Sequence, residues 1–188
     1  MKKTFLAIRI PVTTEIESYL TDYKRDFGFV DMKWNEAKYL HLTLKYFGPT
    51  SEKRIKRIQK VLNELLKKEK SFEINIVKLG VFGSRYAPKV MWWGINEEEL
   101  LKNLFAKIEA ELSKIGIYAD RQNFVPHITL GRIEYIVSKP FFQRQMTKNK
   151  QVEGIKIGVN SLVLLESKKV ADGVEYVELE RFDVELRS

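Results

Sequence analysis

Residues 41–44 read His-Leu-Thr-Leu and residues 127–130 read His-Ile-Thr-Leu, and these two tetrapeptides hold every histidine of the 188-residue chain. Polar and apolar residues alternate within each, which is the two-residue period of a half-buried β-strand. Histidine and threonine therefore share one face, and aliphatic side chains fill the other. Imidazole is the side chain that ionises close to neutral pH, so two such strands brought together supply one general acid and one general base. Spacing alone does not say which histidine takes which part.

Working outward, the chain approaches each motif in the same way. A strand over Thr4–Ile10 is followed by a helix over Thr14–Asp26, opened by a Thr14/Glu17 capping box, with Ile16, Leu20, Tyr23 and Phe27 on one stripe. A strand over Lys89–Ile95 is followed by a helix that Asn96 and Glu99 cap, with Leu100, Leu104, Ile108 and Leu112 inward and Gly116 at its end. From Thr4 to His41 and from Val90 to His127 the separation is the same 37 residues. Duplicated strand–helix–strand units predict an α+β fold of two similar lobes related by a pseudo-twofold.

The remaining elements fit between these. The first histidine strand runs Tyr39–Phe47 and stops at Gly48-Pro49. A helix over Glu52–Lys68 turns Ile55, Ile58, Leu62, Leu65 and Leu66 inward, and a strand covers Phe72–Phe82. The second histidine strand spans His127–Ile133, and Ser138–Lys150 reads as irregular or briefly helical. Closing strands over Ile155–Glu166 and Val174–Leu186 are joined by the hairpin signal Asp172-Gly173. No linker or low-complexity stretch interrupts the chain, so residues 1–188 are read as a single bilobal domain.

Bulk composition narrows the chemistry. Thirty-three basic against twenty-five acidic residues leave a net charge of +8, which points to an anionic partner, nucleic acid first, or more plainly to a lysine-rich surface. The absence of cysteine excludes disulfides, thiolate-bound zinc, iron–sulfur clusters and thiol catalysis. Arg9 interrupts the short apolar run near the amino terminus, and no stretch of about 18 apolar residues occurs. The expectation is a cytoplasmic protein with no membrane contact. Neither a GxxxxGK[ST] nor a GxGxxG pattern is present, and no carboxylate motif accompanies the histidines, so no cofactor and no metal are expected.

In-line displacement at phosphorus needs a base on the attacking side and an acid on the leaving side, and facing histidines meet that need. Thr43 and Thr129 follow their histidines by about 6.6 Å on the same face, placed to donate hydrogen bonds to phosphate oxygens. Lys45 is in phase with His41 and Thr43 and is a further candidate for the site, with a solvent-facing strand end as the alternative. Arg132 is out of phase with His127 unless Gly131 marks a bulge that turns it inward to grip phosphate. Trp92 and Trp93 point to opposite faces of one strand, so at most one lines the cleft. Phe82, Arg85 and Tyr86 precede that strand, as base-stacking residues or an ordinary hairpin tip. The Lys/Arg face of the helix at 52–70 is read as solvated in preference to an RNA track.

HLTLKYFG at 41–48 and FVPHITLGR at 124–132, with FLAIRIP near the start and VFGSRYAPKVMWWGI at 81–95, resemble the two-histidine phosphoesterase superfamily with its paired HxTx motifs. The nearest resemblance is to the RNA 2′,3′-cyclic phosphodiesterases, also called the 2′-5′ RNA ligase family. It implies two antiparallel β-sheets around a central cleft, with helices outside. It implies metal-independent hydrolysis of RNA 2′,3′-cyclic phosphate ends, or of small cyclic nucleotides, to 2′-phosphomonoesters. By motif position His41 would be the proton donor and His127 the proton acceptor. Thr43 and Thr129 would bind the phosphate, and Arg132 would add a contact. The alternatives are 2′-5′ ligation of RNA by reverse transesterification and a non-catalytic RNA- or nucleotide-binding module. A monomer is expected.

Overall fold

The computed structural model describes residues 1–84, 87–118, 124–171 and 173–186. In chain order the elements are β1 (Lys2–Arg9), α1 (Thr14–Asp26), β2 (Val30–Trp34), β3 (His41–Thr50), α2 (Glu52–Leu66), β4 (Phe72–Ser84), β5 (Ala87–Ile95), α3 (Glu98–Ser113), β6 (His127–Ile136), α4 (Lys139–Lys148), β7 (Gln151–Val159), β8 (Ser161–Val170) and β9 (Gly173–Asp183). The strands order as β7-β4-β5-β6-β3-β1-β8-β9, with β2 on β6, and every pairing is antiparallel.

Two half-sheets are visible in that order. One is β3-β1-β8-β9 and the other is β6-β5-β4-β7 with β2 beside β6. Apart from β2, which has no counterpart among the described residues, they correspond strand for strand, in keeping with the duplicated pattern. The two sheets are continuous at their meeting point, where Leu42 of β3 pairs with Ile128 of β6. Those are the residues that follow the two histidines, so the pseudo-twofold passes between the motifs.

Helices close the other face of each half. Tyr23 of α1 packs edge-on against Trp93 of β5, and Phe27 against Phe142 of α4, so α1 and α4 cover the second half. α2 packs on α3 and β9, covering the first half. α1 thus crosses to the half that does not contain β1, and α3, through Glu109 and Lys45, to the half that does not contain β5. Ile16, Leu20, Ile58, Leu62, Leu104 and Ile108 from the helices join Leu42, Leu130 and Trp93 from the strands in one core. Side-chain burial of this kind contributes about 1.5–3 kcal/mol per large aliphatic or aromatic residue. No helix among the described residues is long and apolar enough to cross a membrane.

Several sequence expectations change: Thr13 rather than Thr14 caps α1, its hydroxyl accepting from the Ile16 amide, and β3 runs through Gly48-Pro49 to Thr50. The stretch Ile155–Glu166 is not one strand, because the chain crosses between lobes at Asn160. β7 pairs β4 in one half, and β8 pairs β1 and β9 in the other. The segment after Ser138 is a regular helix with Pro140 in its first turn, where a missing N–H costs nothing. Asn96 does not cap α3, which begins at Glu98, and Glu97 instead accepts a hydrogen bond from the Asn75 amide at 2.6 Å.

Candidate active site

The antiparallel pairing of Leu42 with Ile128 carries His41 toward Thr129 and Thr43 toward His127. Leu42 and Ile128 are fully buried, so the polar residues on either side of them face the opposite, concave side of the sheet. The four motif side chains occupy the corners of one patch, with the histidines on a diagonal. Such diagonal neighbours lie about 7–8 Å apart, room for one phosphoryl group between the rings. Their closeness is felt electrostatically, since a charge on His127 lowers the pKa of His41.

Each ring is fixed by the same local device. His41 Nδ1 lies 2.7 Å from the Tyr39 carbonyl, and His127 Nδ1 lies 2.8 Å from the Val125 carbonyl. A carbonyl only accepts, so Nδ1 carries the proton in both rings and Nε2 is left as the exchanging atom. Aromatic walls hold the rings from the side. His41 sits 5.0 Å from Phe5 and 5.0 Å from Tyr176, while His127 meets Phe82 edge-on at 4.7 Å. Burial pushes both imidazoles below their ordinary pKa, and the Arg9 guanidinium pushes His41 further down.

Beyond the threonines both strands bulge, and the bulge decides what reaches the cleft. In β6, Thr129 pairs with Trp92 and Gly131 with Met91, which leaves Leu130 as an extra residue. Arg132 then falls opposite Val90 and returns to the face of His127 and Thr129. This is the inward turn that the sequence made conditional on Gly131. A Cβ at Gly131 would lie 2.6 Å from the Lys33 carbonyl, so the close approach of β2 requires glycine there. Asn35 braces the bulge, its side-chain amide donating to the Thr129 carbonyl at 2.8 Å and its backbone N–H to the Leu130 carbonyl at 2.8 Å.

In β3 the equivalent bulge overturns the expectation for Lys45. Ala7 pairs with Thr43 and Leu6 with Lys45, which makes Leu44 the extra residue and sends Lys45 to the helix side with Leu6. There Lys45 is 6% exposed, its ammonium 2.7 Å from Glu109 of α3 and 3.0 Å from the Tyr118 carbonyl. Lys45 does not line the cleft. Tyr46 takes the place that Arg132 holds in the other lobe, and it is 51% exposed.

Of the two tryptophans, Trp93 is in the core and Trp92 lies on the cleft face, stacked on Phe82. Gly80 lies beneath the Trp92 ring, where a Cβ would collide. Arg85 and Tyr86 lie outside the described residues. The cationic face of α2 is solvent-exposed on the helix side, away from the histidines. Sequence reasoning missed Arg9, which pairs opposite His41 and contacts Glu178 at 3.3 Å. It also missed Tyr176, whose ring reaches His41 from β9 and feels the charge of Arg132. Both depend on strand register, for which the local pattern carries no signal.

The register thus puts two imidazoles, each with Nδ1 held by a carbonyl, two threonine hydroxyls and, past the bulge, the Arg132 side chain on one face of the sheet. Among the described residues no group of three or more His, Cys, Asp or Glu side chains is placed to hold a metal ion. Such a set can take a proton on one side of phosphorus and give one on the other.

Comparison with known proteins agrees with this geometry. The family model of the 2′-5′ RNA ligase superfamily matches residues 29–170. A protein of Aquifex aeolicus named RNA 2′,3′-cyclic phosphodiesterase is 33% identical over 80% of this chain and 80% of its own length. One of the same name from Methanothermobacter thermautotrophicus is 30% identical over 80% of this chain and 82% of its own. The solved structure of TT0787 from Thermus thermophilus superposes with a TM-score of 0.79 at 22% identity, covering 96% of this chain and 97% of that one. E. coli LigT complexed with 3′-AMP superposes with a TM-score of 0.77 at 22% identity, covering 97% and 98%.

Proposed function

The chain belongs to the 2′-5′ RNA ligase superfamily, and from that footing we propose that it hydrolyses 2′,3′-cyclic phosphate ends of RNA to 2′-phosphomonoesters. Water is deprotonated by Nε2 of His127 and its oxygen bonds to phosphorus. The bond from phosphorus to O3′ breaks, and Nε2–H of His41 delivers a proton to that departing oxygen. Thr43 and Thr129 donate hydrogen bonds to the non-bridging oxygens, and Arg132 balances their charge. Each proton transfer contributes about 10²–10⁴-fold.

The observation that carries this reading is the pairing of Leu42 with Ile128, because it brings the two HxTx motifs side by side on one face of the sheet. The names of the curated relatives favour hydrolysis over ligation. Ligation would use the same groups in reverse, with an RNA 5′-hydroxyl in place of water.

The test is turnover of cytidine 2′,3′-cyclic phosphate and of an RNA with the same end, in excess chelator, by wild type, His41→Ala and His127→Ala. Wild type should produce the 2′-phosphate in chelator, and each variant should lose at least a hundredfold while unfolding at the wild-type urea midpoint at pH 7.5. Full activity in either variant, or loss of wild-type activity on chelation, would overturn the mechanism. Fragments with cyclic-phosphate and 5′-hydroxyl ends, incubated together, would reveal ligation as a joined product.

A further inference from the structure

A cavity of about 510 Å³ lies beside the histidine cleft without enclosing the histidines. It begins at Arg132 and continues past it as a notch between the start of β5, the far half of β6 and the first turn of α4. β5 pairs with β6 only as far as Val90 and Arg132, and among the described residues no strand pairs with that edge of β6 beyond them. Its β2-facing edge is occupied from Gly131 to Ile136. The opening is therefore built into the sheet: beyond Val90 and Arg132, β5 continues along β4 to Ala87 while β6 continues along β2 to Ile136, and the two strands part to leave a space that starts at Arg132.

Its lining has the chemistry of a nucleotide subsite. Lys89, Arg132 and Lys139 supply three cations, and Glu134 is the acidic lining residue, held at 3.3 Å by Lys33. Tyr135, 65% exposed, offers an aromatic face that no packing requirement explains. Cations beside a solvent-exposed aromatic ring, along an open backbone edge, suit a phosphodiester with a base stacked next to it. The volume is that of one nucleotide rather than of a longer strand.

The geometry points to this notch as the binding site for the penultimate nucleotide of an RNA whose terminal cyclic phosphate lies between His41 and His127. The phosphodiester joining the last two nucleotides is held by Lys89 and Lys139, and the penultimate base lies on Tyr135. This rests on the cyclic-phosphate reading of the histidine cleft and adds the substrate class to it: the enzyme favours an end that is part of a chain over a free cyclic mononucleotide.

The experiment compares kcat/KM for a cyclic mononucleotide and for a dinucleotide with the same cyclic end, in wild type, Lys139→Glu and Tyr135→Ala. Lys53→Glu on the exposed face of α2 serves as the charge control. Wild type should favour the dinucleotide by roughly tenfold or more, the scale of one base stack plus one phosphate contact. Lys139→Glu and Tyr135→Ala should each remove most of that preference and leave the mononucleotide unchanged, while Lys53→Glu alters neither. Equal rates on the two substrates in wild type, or variants that slow both alike, would overturn the proposal. Should wild type turn over neither substrate, the functional reading fails on its own. Anisotropy of a labelled dinucleotide 2′-phosphate, weakened by Lys139→Glu but not by Lys53→Glu, then still supports the notch, and equal binding by all three proteins overturns it.

Discussion

Replacing Lys45 with methionine separates the strand-phase reading of β3 from the bulged strand that the structure contains. Lys45 and Glu109 have side-chain exposures of 6% and 12%, and their charged atoms are 2.7 Å apart. Neither Glu109 oxygen has an aligned hydrogen-bond donor, so the carboxylate is held by charge rather than by a directional bond. Lys45→Met keeps the length of the stem and strands that carboxylate in the core. Breaking a buried pair from one side costs about 3–5 kcal/mol, which for a chain of this size lowers Tm by roughly 6–20 °C. Lys45→Met/Glu109→Leu removes the stranded charge and should recover most of the loss. Urea unfolding followed by circular dichroism gives the stability of all three proteins, and turnover of a cyclic nucleotide gives kcat well below their melting temperatures. The expected result is a large change in urea midpoint with kcat within about twofold of wild type. An unchanged midpoint together with a hundredfold fall in kcat would refute the reasoning and return Lys45 to the cleft.

Other expectations follow from the same geometry. Gly131→Ala places a methyl group against the Lys33 carbonyl, so β2 and β6 must part. KM for the cyclic nucleotide should rise about as much as in Arg132→Ala, with stability lowered by about 1–3 kcal/mol, both read by steady-state kinetics and urea titration. Arg9→Gln removes the cation that lowers the pKa of His41. The alkaline limb of the kcat/KM profile should move to higher pH and the acid limb stay in place, whereas movement of the acid limb would make His41 the base. Folded-state pKa values of both histidines lie below the ordinary 6.5, so just below that pH the unfolded chain binds protons that the folded protein refuses. Stability should be level above about pH 6.5 and fall as pH drops through the window beneath it. His41→Asn should flatten that fall in urea midpoints measured from pH 7.5 to 5.

The HxTx strands were legible because alternation of period two is enforced over four residues by burial of Leu42, Leu44, Ile128 and Leu130 on one face. The duplication was legible because the same helix-bearing spacing precedes each motif. What the local pattern hides is where a strand gains a residue. Gly131 advertises a bulge through its missing side chain, although the extra residue is its neighbour Leu130. Leu44 advertises nothing, since Leu44-Lys45-Tyr46 continues the alternation in the sequence while the backbone breaks it. Asn160 is silent for a related reason. The residues on both sides suit strands, and only the pairing partners reveal that they belong to different halves. Arg9 and Tyr176 reach His41 from β1 and β9, at sequence distances where nothing short of register relates them.

The duplication also explains how one fold arms two like residues differently. The carbonyl at position i−2, the bulge after the threonine and the buried aliphatic between histidine and threonine recur in both lobes, so local chain geometry gives the two imidazoles the same tautomer and the same aim. The neighbouring strand tells them apart: Arg9 stands opposite His41 and Gly94 opposite His127. A side chain at Gly94 would collide with the stem of Lys78, whose ammonium is turned toward Glu98 at 3.4 Å. Burial lowers both imidazoles, and His41, the proposed donor, also faces a guanidinium that favours release of its proton. A lowered pKa makes His41 a readier donor but narrows the pH range over which it holds its proton, so Arg9 bears on the alkaline end of the range in which the proposed donor works. The asymmetry between two otherwise matched imidazoles arises from one strand position in each lobe, Arg9 beside His41 and Gly94 beside His127.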